Sequence, residues 1–166
     1  GVFSLEKQDQ ALPTSVLVNL LRHKLRIPVV AAGGIMNGKS ISSVLELGAA
    51  AAQLGTAFVL CPESAADENY RAALQSERAY DTRLTTAISG RPARGLTNRL
   101  ARAGDGAMSS RIPDYPVAYD AGKALHAAAS ARGNTDFAAH WAGQGAPLAR
   151  PMPAAALVEQ LVREMA

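Results

Sequence analysis

The sequence predicts an α/β fold, because two short apolar runs flank a helical pattern and each run is followed by glycine. The runs cover residues 29–32 and 50–54, which are too short for helices and typical of strands buried on both faces. Between them, apolar residues recur at helical spacing from a start at Asn37 or Ser40 to an end at Gly48. A strand, a helix and a strand in this order predict a parallel βαβ unit.

The elements around this unit are predicted from the same signals. Residues 1–12 are polar and irregular, and the helix that follows them carries leucines on one face. Ser64 is a candidate N-cap for a helix over residues 65–76. The alternating β-branched residues 82–88 predict a short strand, and the small, Gly-rich residues 103–113 predict a loop. The leucines of the first helix are Leu17, Leu20, Leu21 and Leu25.

The C-terminal part of the chain is predicted to be helical. Pro116 stands in the first turn of a helix that runs to about Ala131 and ends at Gly133. A short helix is expected over residues 135–141. The final helix is amphipathic, with an outer i,i+4 pair. Its apolar face comprises Leu157, Val158, Leu161, Val162 and Met165, and the outer pair is Glu159 and Arg163.

Length and composition limit the fold and the class of function. A chain of 166 residues can bury one ordinary core, whereas a (β/α)8 barrel needs about 250 residues. The 17 Lys and Arg against 14 Asp and Glu, with few aromatic residues, do not indicate nucleic-acid binding. The sequence has no apolar run of about 18 residues, so no membrane span is predicted.

The cysteine and histidine content argues against disulfide, thiol or metal chemistry. Cys61 is the single cysteine, which excludes an internal disulfide and predicts a reducing, cytoplasmic location. No base lies near it in the sequence, so we expect a packed thiol. His126 and His140 are expected to be packed or surface histidines. No His, Cys, Asp or Glu cluster has metal-ligand spacing.

A pair of glycine turns carries the functional prediction. Gly33-Gly34 follows the first predicted strand, and Gly55-Thr56 follows the second. The carboxyl ends of parallel strands meet at one edge, so the N–H groups of both turns can converge on one anion. In (β/α)8 barrels such a phosphate site is built by the loops after the last two strands, with a helix N-terminus. A lone Gly-Gly would be explained by a tight turn, but the pair at this spacing favours phosphate.

These turns and two later segments resemble the nitronate monooxygenases, formerly called 2-nitropropane dioxygenases. The Ala-Ala-Gly-Gly-Ile motif at residues 31–35 and the Gln-Leu-Gly-Thr motif at residues 53–56 resemble the FMN phosphate site of that family. Ser-Gly-Arg-Pro-Ala-Arg-Gly at residues 89–95 and Trp-Ala-Gly-Gln-Gly at residues 141–145 are similar to its bacterial class. The resemblance covers nearly the whole chain and is weakest over residues 102–113.

The resemblance implies the C-terminal part of an FMN-binding (β/α)8 TIM barrel, followed by a mostly helical segment. Residues 1–62 would be the last barrel βα units with the phosphate-binding turns. Residues 63–166 would be a helical excursion and C-terminal helices that close the pocket. The catalytic His of the family lies in a Gly-Gly-His-Arg-Gly-x-Phe motif, whose end matches Gly1-Val2-Phe3, so the base is expected just before Gly1. The missing N-terminal half of the barrel is then a required partner.

The resemblance also assigns site residues, with FMN as the cofactor. Tyr115, Tyr119 and Lys123 are spaced four apart, which stacks them along one edge of a helix. Spacing alone favours an ordinary amphipathic face, whereas the resemblance implies that they line the substrate side of the flavin pocket. Lys123 would then favour an anionic substrate. The residues implied in cofactor binding are Gly33, Gly34, Gln53, Leu54, Gly55 and Thr56, with Gln53 reaching the ribityl chain or the phosphate.

The implied activity is the FMN-dependent oxidation of alkyl nitronates, such as propionate 3-nitronate, by O2 to a carbonyl compound and nitrite. One alternative is the related flavin-dependent enoyl reductase, against which residues 89–95 and 141–145 argue. Another is a non-catalytic phosphate- or FMN-binding fragment, which is the behaviour we expect of the isolated chain. Arg91 and Arg94 are expected to have a structural or anion-facing role. The oligomeric state is left open.

Overall fold

A computed structural model describes residues 11–104 and 111–166, and these separate into two compact units. The parallel unit comprises residues 11–74 and Gly143–Ala166, and the hairpin unit comprises the described part of Gln75–Ala142. The predicted boundary at residue 62, between the last barrel βα units and the helical segment, concerns a complete barrel, and it stays a prediction. In chain order the elements are α1 (Thr14–Lys24), β1 (Val30–Ala32), α2 (Gly38–Glu46), β2 (Ala51–Gln53), α3 (Glu68–Leu74), β3 (Thr82–Thr85), β4 (Ala93–Leu96), α4 (Arg99–Ala103), α5 (Val117–Ser130) and α6 (Ala154–Glu164).

The predicted βαβ unit is confirmed. Strands β1 and β2 pair in parallel, with Val30 opposite Ala51, and α2 connects them. Helix α2 begins after Asn37, whose side chain accepts a hydrogen bond from the Ser40 N–H at 2.8 Å. That bond satisfies one of the N-terminal amides and decides between the two predicted caps. Gly48 ends the helix in the left-handed region with a φ of 95°.

The prediction that the first strand is buried on both faces is wrong for the described chain. Val30 is 55% exposed, whereas its neighbour Ala31 is 2% exposed. Successive side chains of a strand point to opposite faces. The face with Ala31 packs on Val18 of α1 and Val44 of α2, and the other face is open. The predicted leucine face of α1 is likewise open, because Leu17, Leu20 and Leu25 are exposed. The buried residue of this helix is Val18.

Two apolar clusters hold the parallel unit together, one on each side of α2. The first joins α1, the strands and α2, and it comprises Val18, Ala31, Ile35, Val44 and Ala49. The second joins the turn after β2 to α6, and it comprises Met36, Ala57, Cys61, Leu157 and Leu161. Of the predicted apolar face of α6, only Leu157 and Leu161 are buried, because Val158, Val162 and Met165 lie towards solvent. The outer Glu159–Arg163 pair is present at 3.8 Å.

The helix predicted over residues 65–76 is shorter than expected. It begins at Glu68, because Asp67 rather than Ser64 accepts the capping hydrogen bond, from the Tyr70 N–H at 2.7 Å. The Ser64 hydroxyl instead accepts from the Ala66 N–H in the preceding turn. Arg71 of this helix donates to the carbonyl oxygens of Cys61 and Ser64, which holds the turn against α3.

The hairpin unit contains one predicted strand and one that the sequence analysis missed. Strand β3, predicted over residues 82–88, pairs antiparallel with β4, which lies inside the Arg-rich 89–95 motif and its continuation. The helix predicted over residues 135–141 is wrong. Residues 136–137 form a turn, and the end of the segment pairs with β4, since the Leu96 N–H donates to the His140 carbonyl oxygen at 2.8 Å and Trp141 bridges to Gly95.

The helix predicted from Pro116 is confirmed as α5. The helix ends before Gly133, whose φ is 70°. The irregular start predicted for residues 1–12 falls mostly outside the described residues, as does much of the loop at residues 103–113. Within the described ranges, no helix is long and apolar enough to cross a bilayer.

Candidate functional site

A cleft of about 330 Å³ opens in the parallel unit where β1 and β2 end. The strands run parallel, so the turns that follow them reach the same edge, as the sequence predicted. The cleft is lined largely by main chain, and the lining side chains carry no formal charge. The residues that the argument uses are Gly33, Gly34, Gln53, Gly55, Thr56, Gly143 and Gly145.

The glycines of the first turn are required by backbone conformation. Gly33 has a φ of 106° and Gly34 a φ of 74°, a region that L side chains rarely adopt. The Thr14 hydroxyl donates to the Gly33 carbonyl oxygen at 2.9 Å, which fixes the turn against α1. A Cβ added to Gly34 would meet nothing within 4 Å, so the turn is open on that side.

Gly55 in the second turn is different, because nothing in the described residues requires a glycine there. Its φ of −113° suits any residue, and a Cβ would meet nothing within 4 Å. The backbone N–H groups of Gly34 and Gly55 donate no turn, loop or cap hydrogen bond within the described residues. Two amides beside open space are the feature that a backbone anion site needs.

Thr56 connects the second turn to residues 141–145, for which the sequence predicts no role in the cleft. Its hydroxyl oxygen accepts a hydrogen bond from the Gly143 N–H at 3.0 Å. Gly143 and Gly145 belong to the Trp-Ala-Gly-Gln-Gly motif, and both line the cleft. The Gly-x-Gly spacing is the feature of the sequence that could have marked this segment as a binding turn. Nothing in the sequence indicates that a segment 87 residues away contacts Thr56.

The other residues of the second motif have separate positions. Gln53 is exposed at the end of β2 and lines the cleft, which suits a polar contact with a ligand. Leu54 packs against both apolar clusters and does not line the cleft. A role for Leu54 in the cleft is therefore confined to its backbone.

The N-terminus of α2 is occupied by the protein itself. The Gly38 N–H donates to Glu164 at 2.9 Å, and the Ser40 N–H is taken by Asn37. Glu164 also accepts from Arg150 and Gln160, and these contacts lower its pKa to about 2, with the Arg150 hydrogen bond as the largest cause. Arg150 in turn donates to the Met36 carbonyl oxygen, so this network ties α6 to the first glycine turn. The anion-binding capacity of the cleft thus rests on its turns.

The predicted substrate-side residues lie in the hairpin unit. Tyr115 and Tyr119 line an open cleft of about 360 Å³, together with Ser89, Arg91 and Trp141. The two phenol rings lie 6.3 Å apart between centroids and are inclined by 31°. The cleft therefore combines aromatic area with hydroxyl groups and one guanidinium.

Lys123 continues the tyrosine edge, as the spacing predicted. Its Nζ lies 4.7 Å from the centroid of the Tyr119 ring and 2.9 Å from Asp120 Oδ1. The hydrogen bond that Lys123 donates to Asp120 raises the pKa of Lys123, so the ammonium stays charged. The same carboxylate offsets part of its positive charge, which weakens its attraction for another anion.

Arg91 and Arg94 make structural contacts, which is one of the two roles predicted for them. Arg91 pairs with Asp114 at 2.9 Å, and the other carboxylate oxygen of Asp114 accepts from the Tyr115 N–H at 2.8 Å. Arg94 donates to the Thr82 carbonyl oxygen across the β3–β4 pair at 3.1 Å. Arg91 of the 89–95 motif thus holds the residues that lead into α5, where Tyr115 precedes the helix and Tyr119 lies on it.

The cysteine and the two remaining candidate histidines are buried or partly buried. Cys61 is buried, and burial is the main reason that its pKa is raised, which disfavours the thiolate. His140 is buried and His126 partly buried, as expected. Among the described residues, no group of three or more His, Cys, Asp or Glu side chains could hold a metal ion.

The parallel βαβ unit and the turns at one end of it define an α/β protein of the (β/α)8-barrel class, as the sequence predicted. Comparison with known sequences makes this specific. The profile of the family described as nitronate monooxygenase matches residues 3–164. The chain belongs to the nitronate monooxygenase family, which confirms the resemblance drawn from its motifs.

Individual relatives agree with this assignment. The nitronate monooxygenase of Pseudomonas aeruginosa is 57% identical over 165 residues, which cover 99% of this chain and 47% of that protein. The nitronate monooxygenase of Paraburkholderia phytofirmans is 54% identical over 165 residues, covering 99% of this chain and 45% of that protein. The chain therefore spans about half the length of the curated relatives it matches.

Solved structures show the same relationship in three dimensions. The nitroalkane oxidase of Streptomyces ansochromogenes superimposes with a TM-score of 0.85 and 42% identity, over 95% of this chain and 46% of that one. FabK of Thermotoga maritima superimposes with a TM-score of 0.72 and 31% identity, over 92% of this chain and 48% of that one.

Proposed function

We propose that this chain takes part in the FMN-dependent oxidation of alkyl nitronates, such as propionate 3-nitronate, by O2 to a carbonyl compound and nitrite. Family membership supports an oxidoreductase. The observation that carries the cofactor assignment is Gly55, since neither its backbone conformation nor its packing requires a glycine. Close approach of a phosphate to the main chain accounts for that residue.

The residues of the cleft fit the phosphate of FMN. The N–H groups of Gly34 and Gly55 and the hydroxyl of Thr56 would hold the phosphate oxygens, and the Gln53 amide would reach the phosphate or the ribityl chain. Backbone amides bind a phosphate without a lysine or arginine because their dipoles are fixed by the turns. FMN supplies the redox chemistry when it is bound, and the protein contributes binding and orientation.

Tyr115, Tyr119 and Lys123 would bind the nitronate. The ammonium of Lys123 provides charge, and the phenols provide hydrogen bonds and apolar area for the alkyl group. Because Lys123 is exposed and already paired with Asp120, its contribution is that of a surface charge rather than of a buried ion.

We further propose that turnover requires a longer polypeptide than these 166 residues. The chain spans about half the length of its curated relatives, and the base implied by the resemblance, a histidine, would precede Gly1. The rest of the barrel is then the partner of this chain, and the isolated chain would bind FMN or phosphate without catalysis.

The test compares this chain with the same chain expressed behind its natural upstream sequence. We expect both to retain flavin and only the longer protein to release nitrite from propionate 3-nitronate in the presence of O2. NADH oxidation without nitrite release would favour the enoyl reductase alternative instead. Two colourless proteins that bind no added FMN would overturn the flavin assignment.

A further inference from the structure

We propose that Gly143 sets the size of the anion subsite in the parallel unit, because its missing side chain leaves the space between Gly34 and Thr56 open for a phosphate oxygen. This inference deepens the proposed function and rests on it. It assigns a specificity role to the Trp-Ala-Gly-Gln-Gly motif at residues 141–145.

The first argument is that the fold does not explain a glycine at position 143. Its φ lies outside the left-handed region, and a Cβ built there would lie 3.6 Å from Thr56 Oγ1 and 3.9 Å from the Gly34 nitrogen. Both distances are ordinary van der Waals contacts, so alanine would fit the folded chain. A methyl group would, however, occupy the space that faces the two groups proposed to bind the anion.

Gly145, two residues on, is a useful contrast. A Cβ there would lie 2.5 Å from Met36 Cγ and 3.5 Å from the Gly34 carbonyl oxygen. Met36 is buried in the second apolar cluster, so it could not yield without disturbing that cluster. Gly145 is thus required by packing, whereas Gly143 is not.

The hydrogen bond between Gly143 and Thr56 determines what each contributes. The Gly143 N–H donates to Thr56 Oγ1 at 3.0 Å, so that amide is already engaged. The Thr56 oxygen accepts this bond, which leaves its hydroxyl hydrogen for a further acceptor. Gly143 therefore contributes space and orients Thr56, and Thr56 contributes the donor.

The test measures binding of FMN and of riboflavin to the 166-residue chain and its Gly143→Ala variant by flavin fluorescence, with inorganic phosphate as competitor. Riboflavin has the same ring and ribityl chain but no phosphate. We expect Gly143→Ala to weaken FMN binding at least about tenfold, the equivalent of one charge-assisted hydrogen bond. Riboflavin binding and the thermal unfolding midpoint should stay unchanged. Gln144→Ala, an exposed neighbour, is the matched control and should bind both ligands as the parent does.

Equal FMN affinity in Gly143→Ala and the parent would overturn this inference and leave the proposed function standing. An equal loss of riboflavin binding would also overturn it, since the substitution would then disturb more than the phosphate subsite. Failure of the parent chain to bind FMN or phosphate would count against the proposed cofactor site itself. If Gly143→Ala does not fold, Thr56→Val against Thr56→Ser tests the same geometry, because only serine keeps the hydroxyl that Gly143 holds. Equal FMN binding by those two variants would show that no phosphate oxygen lies between Gly34 and Thr56, which would overturn the inference together with the proposed role of the Thr56 hydroxyl.

Discussion

At the scale of the residue, the cleft contains glycines that are chemically identical and present for different reasons. Gly33 and Gly34 are required by positive φ angles, and Gly145 by contact with Met36. Gly55 has neither requirement. A glycine that the described residues do not require still costs conformational entropy on folding, and the phosphate that we propose beside Gly55 would account for it.

Replacement of Gly55 by alanine separates stability from binding. We expect the free energy of unfolding of the variant to exceed that of the parent by up to about 1 kcal/mol. At a φ that alanine can adopt, the substitution reduces the entropy of the unfolded chain. FMN binding should weaken, because the Cβ limits the approach of the phosphate to the main chain. Urea denaturation and flavin titration of the same preparation measure both. Unchanged FMN affinity would contradict the role given to Gly55.

Replacement of Lys123 tests the proposed substrate side, in the longer protein that we propose to be active. We expect Lys123→Met to raise the KM for propionate 3-nitronate by about three- to tenfold with a smaller change in kcat, since an exposed charge contributes uniform binding. Lys123→Arg retains the charge and serves as the control. An unchanged KM in Lys123→Met would remove Lys123 from the substrate site.

At the scale of the element, α6 holds the first glycine turn through its C-terminal end. Glu164 accepts from the Gly38 N–H and from Arg150, and Arg150 donates to the Met36 carbonyl oxygen. One carboxylate thus takes the place of an anion at the start of α2. An element that is 126 residues away in sequence therefore fixes the loop that forms the cleft.

The pH dependence of the free energy of unfolding tests the contacts of Glu164 with Arg150 and the Gly38 N–H. Folding lowers the pKa of Glu164 from 4.5 to about 2, so its stabilising effect is present above about pH 4.5 and is lost as the pH falls towards 2. We expect Glu164→Gln to be less stable than the parent at neutral pH and to approach it near pH 3. Urea unfolding midpoints at neutral pH, about pH 4.5 and about pH 3 measure the difference. A difference between the proteins that does not change with pH would contradict this account.

At the scale of the whole molecule, the parallel unit exposes apolar side chains on α1 and on the open side of β1. Leu17 and Leu20 of α1 and Val30 of β1 are all more than 40% exposed. Scattered apolar residues are normal on a surface, but large ones left exposed on a strand and on the helix beside it promote association. The chain spans about half of its curated relatives, and we proposed that the rest of a barrel is its partner.

The isolated chain should therefore self-associate as its concentration rises. We expect the apparent mass to increase in sedimentation velocity, and we expect Leu20→Gln together with Val30→Thr to reduce the increase by burying less apolar surface in the contact. Val158→Thr on α6 controls for a general loss of hydrophobicity. Equal association of the parent and the double variant would show that these two positions are not part of the contact.

Much of the fold and part of the cleft could be predicted from local signals. The βαβ order, the Asn37 cap and the Gly48 end each depend on a few consecutive residues, and all are confirmed. The short helix over residues 135–141 was wrong, because its backbone bonds to β4 some 45 residues earlier, a pairing that local propensity does not reveal. For the same reason β4 itself was missed.

That two glycine turns end adjacent parallel strands follows from strand length, helix spacing and turn chemistry, which are local properties of the chain. What surrounds those turns depends on the folded chain. It brought Gly143 to Thr56 and Glu164 to Gly38 across long stretches of sequence, and it placed Leu54 in the core and Gln53 at the cleft. Such contacts depend on packing between distant elements, where the pattern of one segment contains no information about its partner.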